Sequence, residues 1–227
     1  MLSRFIRRHP QLFENLKGQL RDALPISAAV RGRLTGTFNN IHAKYFQNYV
    51  FIHIPKCGGT SVERALGLAV LNHDTALERL HALGEKRWLE RVTFTVVRNP
   101  YARLASSYFY LHQPAHKAMN DLREEFRFWM FRWQTAQREG VLPNTLKTQC
   151  WWLSDEAGQP LIDITCQLEN IEDDIKPVAK ALGRDINIRK LKENPLSINY
   201  DDLYTPATRD MVKSLYKEDF ERFGYKM

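Results

Sequence analysis

Between Tyr49 and Leu66 the chain reads YVFIHIPKCGGTSVERAL. The β-branched and aromatic run Tyr49 to Ile54, closed by Pro55, predicts a buried strand. A helical pattern follows from Thr60 to Leu71, with Thr60 or Ser61 near its start. Between the two lie only Lys56, Cys57, Gly58 and Gly59. A strand that turns through two glycines into a helix is the first half of a parallel-sheet crossover, and few architectures accommodate it.

The rest of the chain keeps this order. A helix is expected over Thr75 to Leu83, stopped at Gly84, and a strand over Val92 to Val97. Arg98, Asn99 and Pro100 form the exit from that strand, and helical spacing resumes from Tyr101 to Leu111. Asp121 to Arg138 and Leu146 to Leu153 read as aromatic-rich helices, Leu161 to Thr165 as a third strand, Ile171 to Leu182 as a helix ending at Gly183, and Ala207 to Phe220 as a last helix. The expected fold class is α/β: a P-loop-like three-layer fold, a central parallel sheet flanked by helices. In such sheets ligands bind beyond the carboxyl ends of the strands, where both PKCGGTS and the Arg-Asn-Pro turn fall.

A chain of 227 residues, 44% of them hydrophobic, can bury one sizeable core. The domain expected to hold it spans residues 49–227. Residues 1–48 are expected to form a basic helical arm: Leu2 to Leu24 has helix-like spacing interrupted at Pro10, and Ile26 to Asn48 reads as connecting structure. Up to residue 44 the arm carries eight Lys and Arg against two acidic side chains, which accounts for six of the net charge of +7. It could touch an anionic partner or tether a homo-oligomer, but the interior motifs give a nucleic-acid module no explanation. No apolar run approaches the ~20 residues of a membrane span, and no signal peptide is evident. Stable membrane insertion is not expected, and the expected location is cytoplasmic. Cys57, Cys150 and Cys166 lack CxxC spacing and read as reduced thiols; Cys57, in the glycine loop, reads as a tolerated small residue, with a functional thiol as the alternative.

Gly58 and Gly59 let the backbone approach an oxyanion, and the following helix offers unpaired N–H groups. Thr60 and Ser61 add hydroxyls and Lys56 a mobile charge, so the loop is a cradle for a tetrahedral anion. The order is wrong for a nucleotide triphosphatase, because GxxxxGK[ST] is absent and Lys56 precedes the glycines. Asp163 is a weak candidate for a metal-binding carboxylate. A second cradle follows the next strand, where the Arg98 guanidinium suits a phosphate and Ser106, eight positions on, can complete the shell. Two such cradles at adjacent strand ends suit one nucleotide with phosphate groups at both ends.

On HIPKCGGTS and VVRNPYARLASSY the sequence resembles the sulfotransferases that use 3′-phosphoadenosine 5′-phosphosulfate (PAPS), in particular the carbohydrate O-sulfotransferase branch, sulfotransferase family 2. The likeness extends through LIDITCQLENIEDDI, the Asn194 to Ser197 loop and YKEDFERFGY. It implies that Lys56 holds the bridging oxygen of the donor, that Thr60, Ser61 and the backbone from Cys57 to Gly59 bind the 5′-phosphate, and that Arg98 and Ser106 bind the 3′-phosphate. The implied reaction is in-line transfer of a sulfuryl group to a hydroxyl, releasing adenosine 3′,5′-bisphosphate, with PAPS as co-substrate and no metal required.

A base for the acceptor hydroxyl is expected among the seven histidines, since His titrates near working pH. His73 lies between the two cradles, where related sulfotransferases carry a histidine base; His112 and His116 come next, and His53, inside the first strand, is read as structural. The acceptor is expected to be a small molecule or a sugar, and Phe126, Phe128, Trp129, Phe131, Trp133, Trp151 and Trp152 are read as core more than as sugar-stacking faces. The alternatives are a P-loop-type kinase using ATP, and transfer to an amine instead of a hydroxyl.

Overall fold

A computed structural model describes residues 47–68, 73–112, 118–188 and 199–227. Residues 1–46 of the N-terminal arm, His116 and the Asn194 to Ser197 loop lie outside these residues. In chain order the elements are β1 (Tyr49–Ile52), α1 (Gly59–Ala65), α2 (Ala76–Leu83), α3 (Glu85–Leu89), β2 (Val92–Val97), α4 (Pro100–His112), α5 (Met119–Arg138), α6 (Gln149–Leu153), β3 (Ile164–Gln167), α7 (Ile171–Asp174), α8 (Lys176–Leu182), α9 (Pro206–Leu215) and α10 (Lys217–Phe223).

The three strands form one parallel sheet in the order β1-β2-β3. Phe51 pairs with Phe94 and Ile52 with Thr95, so β1 and β2 end side by side. Alternation sorts the side chains onto two faces. Tyr49, Phe51, Phe94 and Val96 pack against Val62 and Leu66 at α1 and against Ile171 and Val178 of α7 and α8. Val50 and Ile52 meet Ala76 and Leu83 of α2, Trp88 of α3 and Trp152 of α6. Burial on both faces is why β1 and β2 read as nearly continuous apolar runs. A third cluster lies beyond the sheet, where Tyr101, Leu104 and Tyr108 of α4 meet Leu122, Phe126 and Met130 of α5, with Val212 and Phe220 behind them. The aromatic set divides accordingly: Phe126, Trp133 and Trp152 are buried, while Phe128, Phe131 and Trp151 are exposed.

Several boundaries differ from the expectation, each for a local reason. The third strand begins at Ile164, not Leu161, because the Asp163 carboxylate accepts hydrogen bonds from the N–H and hydroxyl of Thr93 and so occupies the edge of β2 before the ladder starts. Those bonds engage the carboxylate that was considered as a metal ligand. The helix expected over Ile171 to Leu182 is two, since Pro177 cannot donate to the preceding turn and α8 restarts with it in the first two positions. The last helix breaks at Tyr216, whose hydroxyl is drawn to the carbonyl of Leu146 at 2.7 Å. Where a helix was expected over Leu146 to Leu153, a short 3-10 turn, Asn144–Leu146, is followed by α6, which the Thr148 hydroxyl caps. Helix α1 stops at Ala65, and Gly67 leaves it at φ 69°. No described helix is long and apolar enough to cross a membrane.

Candidate functional site

The glycine loop hangs on a strained backbone. Lys56 has φ 68°, the one non-glycine residue with positive φ among those described, and Gly58 follows at φ 78° as the N-cap of α1. An L-residue in this region is disfavoured by roughly 1–2 kcal/mol, so something must hold it. The Arg98 guanidinium does: Nη1 donates to the Lys56 carbonyl at 3.2 Å. The Lys56 ammonium lies 4.1 Å from the centre of the Tyr110 ring on α4. Tyr110 stands one turn beyond Ser106 on that helix, so the Ser106 face of α4 is turned toward Lys56.

Glycine at 59 is required by a neighbour. A Cβ there would stand 2.0 Å from Cδ2 of His53, whose ring is buried and fixed by a 2.7 Å contact between Nδ1 and Oε1 of Glu63. The helix therefore starts close against the end of β1. No side chain caps it, and the half-buried hydroxyls of Thr60 and Ser61 form no hydrogen bond with described residues. Unengaged donors at a helix start fit a tetrahedral anion. Cys57 contributes only backbone to this surface. Its thiol points inward, 3.2 Å from Oε1 of Gln149, and burial pushes its pKa up to about 12. Burial likewise raises the pKa of Cys150 and Cys166, so none of the three is a ready thiolate.

The Arg98 turn is built differently. Asn99 caps α4 by accepting from the N–H of Tyr101 at 2.9 Å, with Pro100 in the first helical position. The Asn99 N–H donates to Glu169 at 2.8 Å. The Arg98 side chain lies against the Tyr200 ring, 5.3 Å from its centre. Ser106 sits half-buried on the second turn of α4 without a side-chain hydrogen bond to described residues.

His73 lies two residues before Thr75, which forms with Glu78 the capping box that starts α2. Its Nδ1 is 3.0 Å from the carbonyl of His53. A carbonyl can only accept, so Nδ1 carries the proton and Nε2 keeps its lone pair. Desolvation lowers the pKa of His73 from the ordinary 6.5, with the backbone bond to His53 acting in the opposite sense. An imidazole in this state is neutral at pH 7 and able to accept a proton. His112, the second choice, packs at 4.7 Å against Tyr108, on the side of α4 opposite Tyr110. His81 is exposed on α2; His9, His42 and His116 lie outside the described residues.

A family model described as the sulfotransferase family matches residues 41–226. The chain belongs to the sulfotransferase family. A search of curated proteins and a search of solved structures each returned no match. Two buried residues of this sulfotransferase escaped the sequence reading. Arg103, 2% exposed, donates to the carbonyls of Pro55, Lys147 and Thr145, tying the glycine loop to the segment before α6. Gln149 hydrogen-bonds the Arg98 peptide on both sides. The only hint of Arg103 was a charge on an apolar helix face, and nothing in the pattern singled out Gln149. Among the described residues no group of three or more His, Cys, Asp or Glu side chains is arranged to hold a metal ion.

Proposed function

We propose that this sulfotransferase moves a sulfuryl group from PAPS to a hydroxyl of a small-molecule or carbohydrate acceptor, in the cytoplasm. The observation that carries the reading is the hydrogen bond from Arg98 to the Lys56 carbonyl, which joins two anion cradles at the tips of neighbouring parallel strands. A nucleotide with phosphate at both ends needs two such cradles side by side.

In this reading the N–H groups at Gly58 and Gly59, with Thr60 and Ser61, hold the 5′-phosphate, while Arg98 and Ser106 hold the 3′-phosphate. The phosphosulfate supplies an activated sulfuryl group and a phosphate leaving group. Lys56 offsets the negative charge that grows on the bridging oxygen as that bond breaks, a contribution larger in the transition state than before it. His73 accepts the acceptor hydroxyl's proton at Nε2. Its hydrogen bond to His53 and the capped start of α2 hold the ring still, so little reorganisation accompanies proton transfer.

Calorimetry without Mg²⁺ tests the donor. Adenosine 3′,5′-bisphosphate should bind at least tenfold more tightly than ATP, and the reverse order would point to a kinase. A mass-spectrometric screen of alcohols, sugars and amines incubated with PAPS, seeking a gain of one SO₃ unit, then identifies the acceptor class.

A further inference from the structure

The Arg98 turn is gripped by one fully buried amide. Gln149, the first residue of α6, accepts the Arg98 N–H on Oε1 at 2.8 Å and donates from Nε2 to the Arg98 carbonyl at 2.9 Å. A side-chain amide thus pairs with a backbone peptide as a neighbouring strand would, at the point where β2 has ended. The same Oε1 receives the thiol of Cys57 at 3.2 Å, so one atom touches both anion loops.

Gln149 is itself held. Asp219 of α10, entirely buried, accepts from the backbone N–H of Gln149 at 2.8 Å and of Cys150 at 2.9 Å, which caps α6. Its Oδ2 also lies 3.3 Å from Nε2 of Gln149. This orients the amide: Nε2 faces the carboxylate and the Arg98 carbonyl, and Oε1 is left for the two donors. The chain of contacts runs from the C-terminal helix through α6 to the Arg98 turn and the glycine loop.

We propose that Gln149, oriented by Asp219, is a positioning residue that sets where the Arg98 guanidinium sits relative to the glycine loop, and so sets the preference for a nucleotide bearing a 3′-phosphate. The inference rests on the donor assignment made under Proposed function. Arg98 grips Lys56 with its side chain, while Gln149 holds its backbone from the other side; without the amide both bonds to the peptide vanish and the fork is free to shift. Displacements of about 1 Å at such a group cost on the order of a hundredfold in binding or rate.

The test compares the affinity of the full chain for adenosine 3′,5′-bisphosphate with its affinity for AMP, which lacks the 3′-phosphate, by calorimetry. In Gln149→Met, similar in volume but unable to pair, the ratio should fall roughly tenfold or more while AMP affinity stays within about threefold. Equal weakening of both ligands, or an unchanged ratio alongside a lowered Tm, would mean that Gln149 only stabilises the fold and would overturn the proposal. If Gln149→Met does not fold, Gln149→Asn keeps the amide but shortens its reach, and the same ratio is read. If the parent chain itself does not favour the bisphosphate, the donor assignment has failed; a parent preference that survives both variants means the positioning role alone has failed.

Discussion

The glycine loop and the Arg98 turn both end a strand, both are basic, and they are built on opposite plans. Around Arg98 the backbone is engaged: its N–H and carbonyl pair with Gln149, the next N–H with Glu169, and Asn99 caps the helix. Only the guanidinium projects. At residues 56–61 no side chain caps the helix start, two hydroxyls are unengaged by described residues, and Lys56 sits in a disfavoured conformation. In the proposed function one cradle would bind with a side chain on a rigid platform, the other with the backbone itself. Conformational strain belongs in the second, because a loop that closes on an anion must point its donors outward instead of satisfying them internally.

The largest effect is expected at His73, the proposed base. His73→Gln should lower kcat by about 10²–10⁴ and abolish the acid limb that the proposed role predicts for the parent below pH 6.5, since desolvation lowers the pKa of His73. Persistence of that limb in the variant would assign the proton to another group. The lowered pKa also has a stability consequence. Between the folded-state value and 6.5 the unfolded chain binds more protons, so stability rises with pH through that window. The contribution of His73 is complete above 6.5 and lost as pH falls through the folded-state pKa, a trend that parallel pH-dependent unfolding of parent and His73→Gln would show.

Lys56→Ala comes next. Turnover should drop by about 10²–10³, with binding of adenosine 3′,5′-bisphosphate nearly preserved, since in the proposed mechanism the ammonium acts on charge that develops during transfer. Comparable losses in turnover and binding would make Lys56 an ordinary ground-state contact.

Gly59→Ala addresses the backbone cradle directly. The added methyl meets the His53 ring, which Glu63 holds in place, so a destabilisation of about 1–3 kcal/mol is expected from overpacking, despite alanine's better helix propensity. An unchanged Tm would show that the ring can move. The smallest effect separates strain from charge. Lys56→Gly should be more stable than Lys56→Ala by about 1 kcal/mol, because glycine accepts φ 68° without penalty. Equal stability of the two would place the strain elsewhere in the loop.

How much of this was legible in the sequence depended on the range of the interactions. Val92 to Val97 was delimited to the residue, since a β-branched run closed by Arg-Asn-Pro carries its own start and stop. The starts of α2 and α4 were readable within one residue from the local chemistry of Thr75 and Pro100. The breaks at Ile175 and Tyr216 were missed: the first needs the position of Pro177 within the turn, and the second a bond to Leu146, 70 residues away. The start of β3 was misjudged because Asp163 answers to Thr93, also 70 residues away.

The glycines, lysine, arginine and hydroxyl residues proposed to hold the nucleotide stand out in the sequence because each motif is contiguous and follows a strand that carries its own signal. Gln149, Asp219, Arg103 and the His53–Glu63 pair were not, because a buried polar group is identified by its partners and those partners arrive from distant segments. From sequence alone came the two motifs proposed as anion cradles and the order of strands and helices that carries them. Tertiary structure decided their separation, the strain in Lys56 and the tautomer of His73, since each is fixed by hydrogen bonds between residues that only folding brings together.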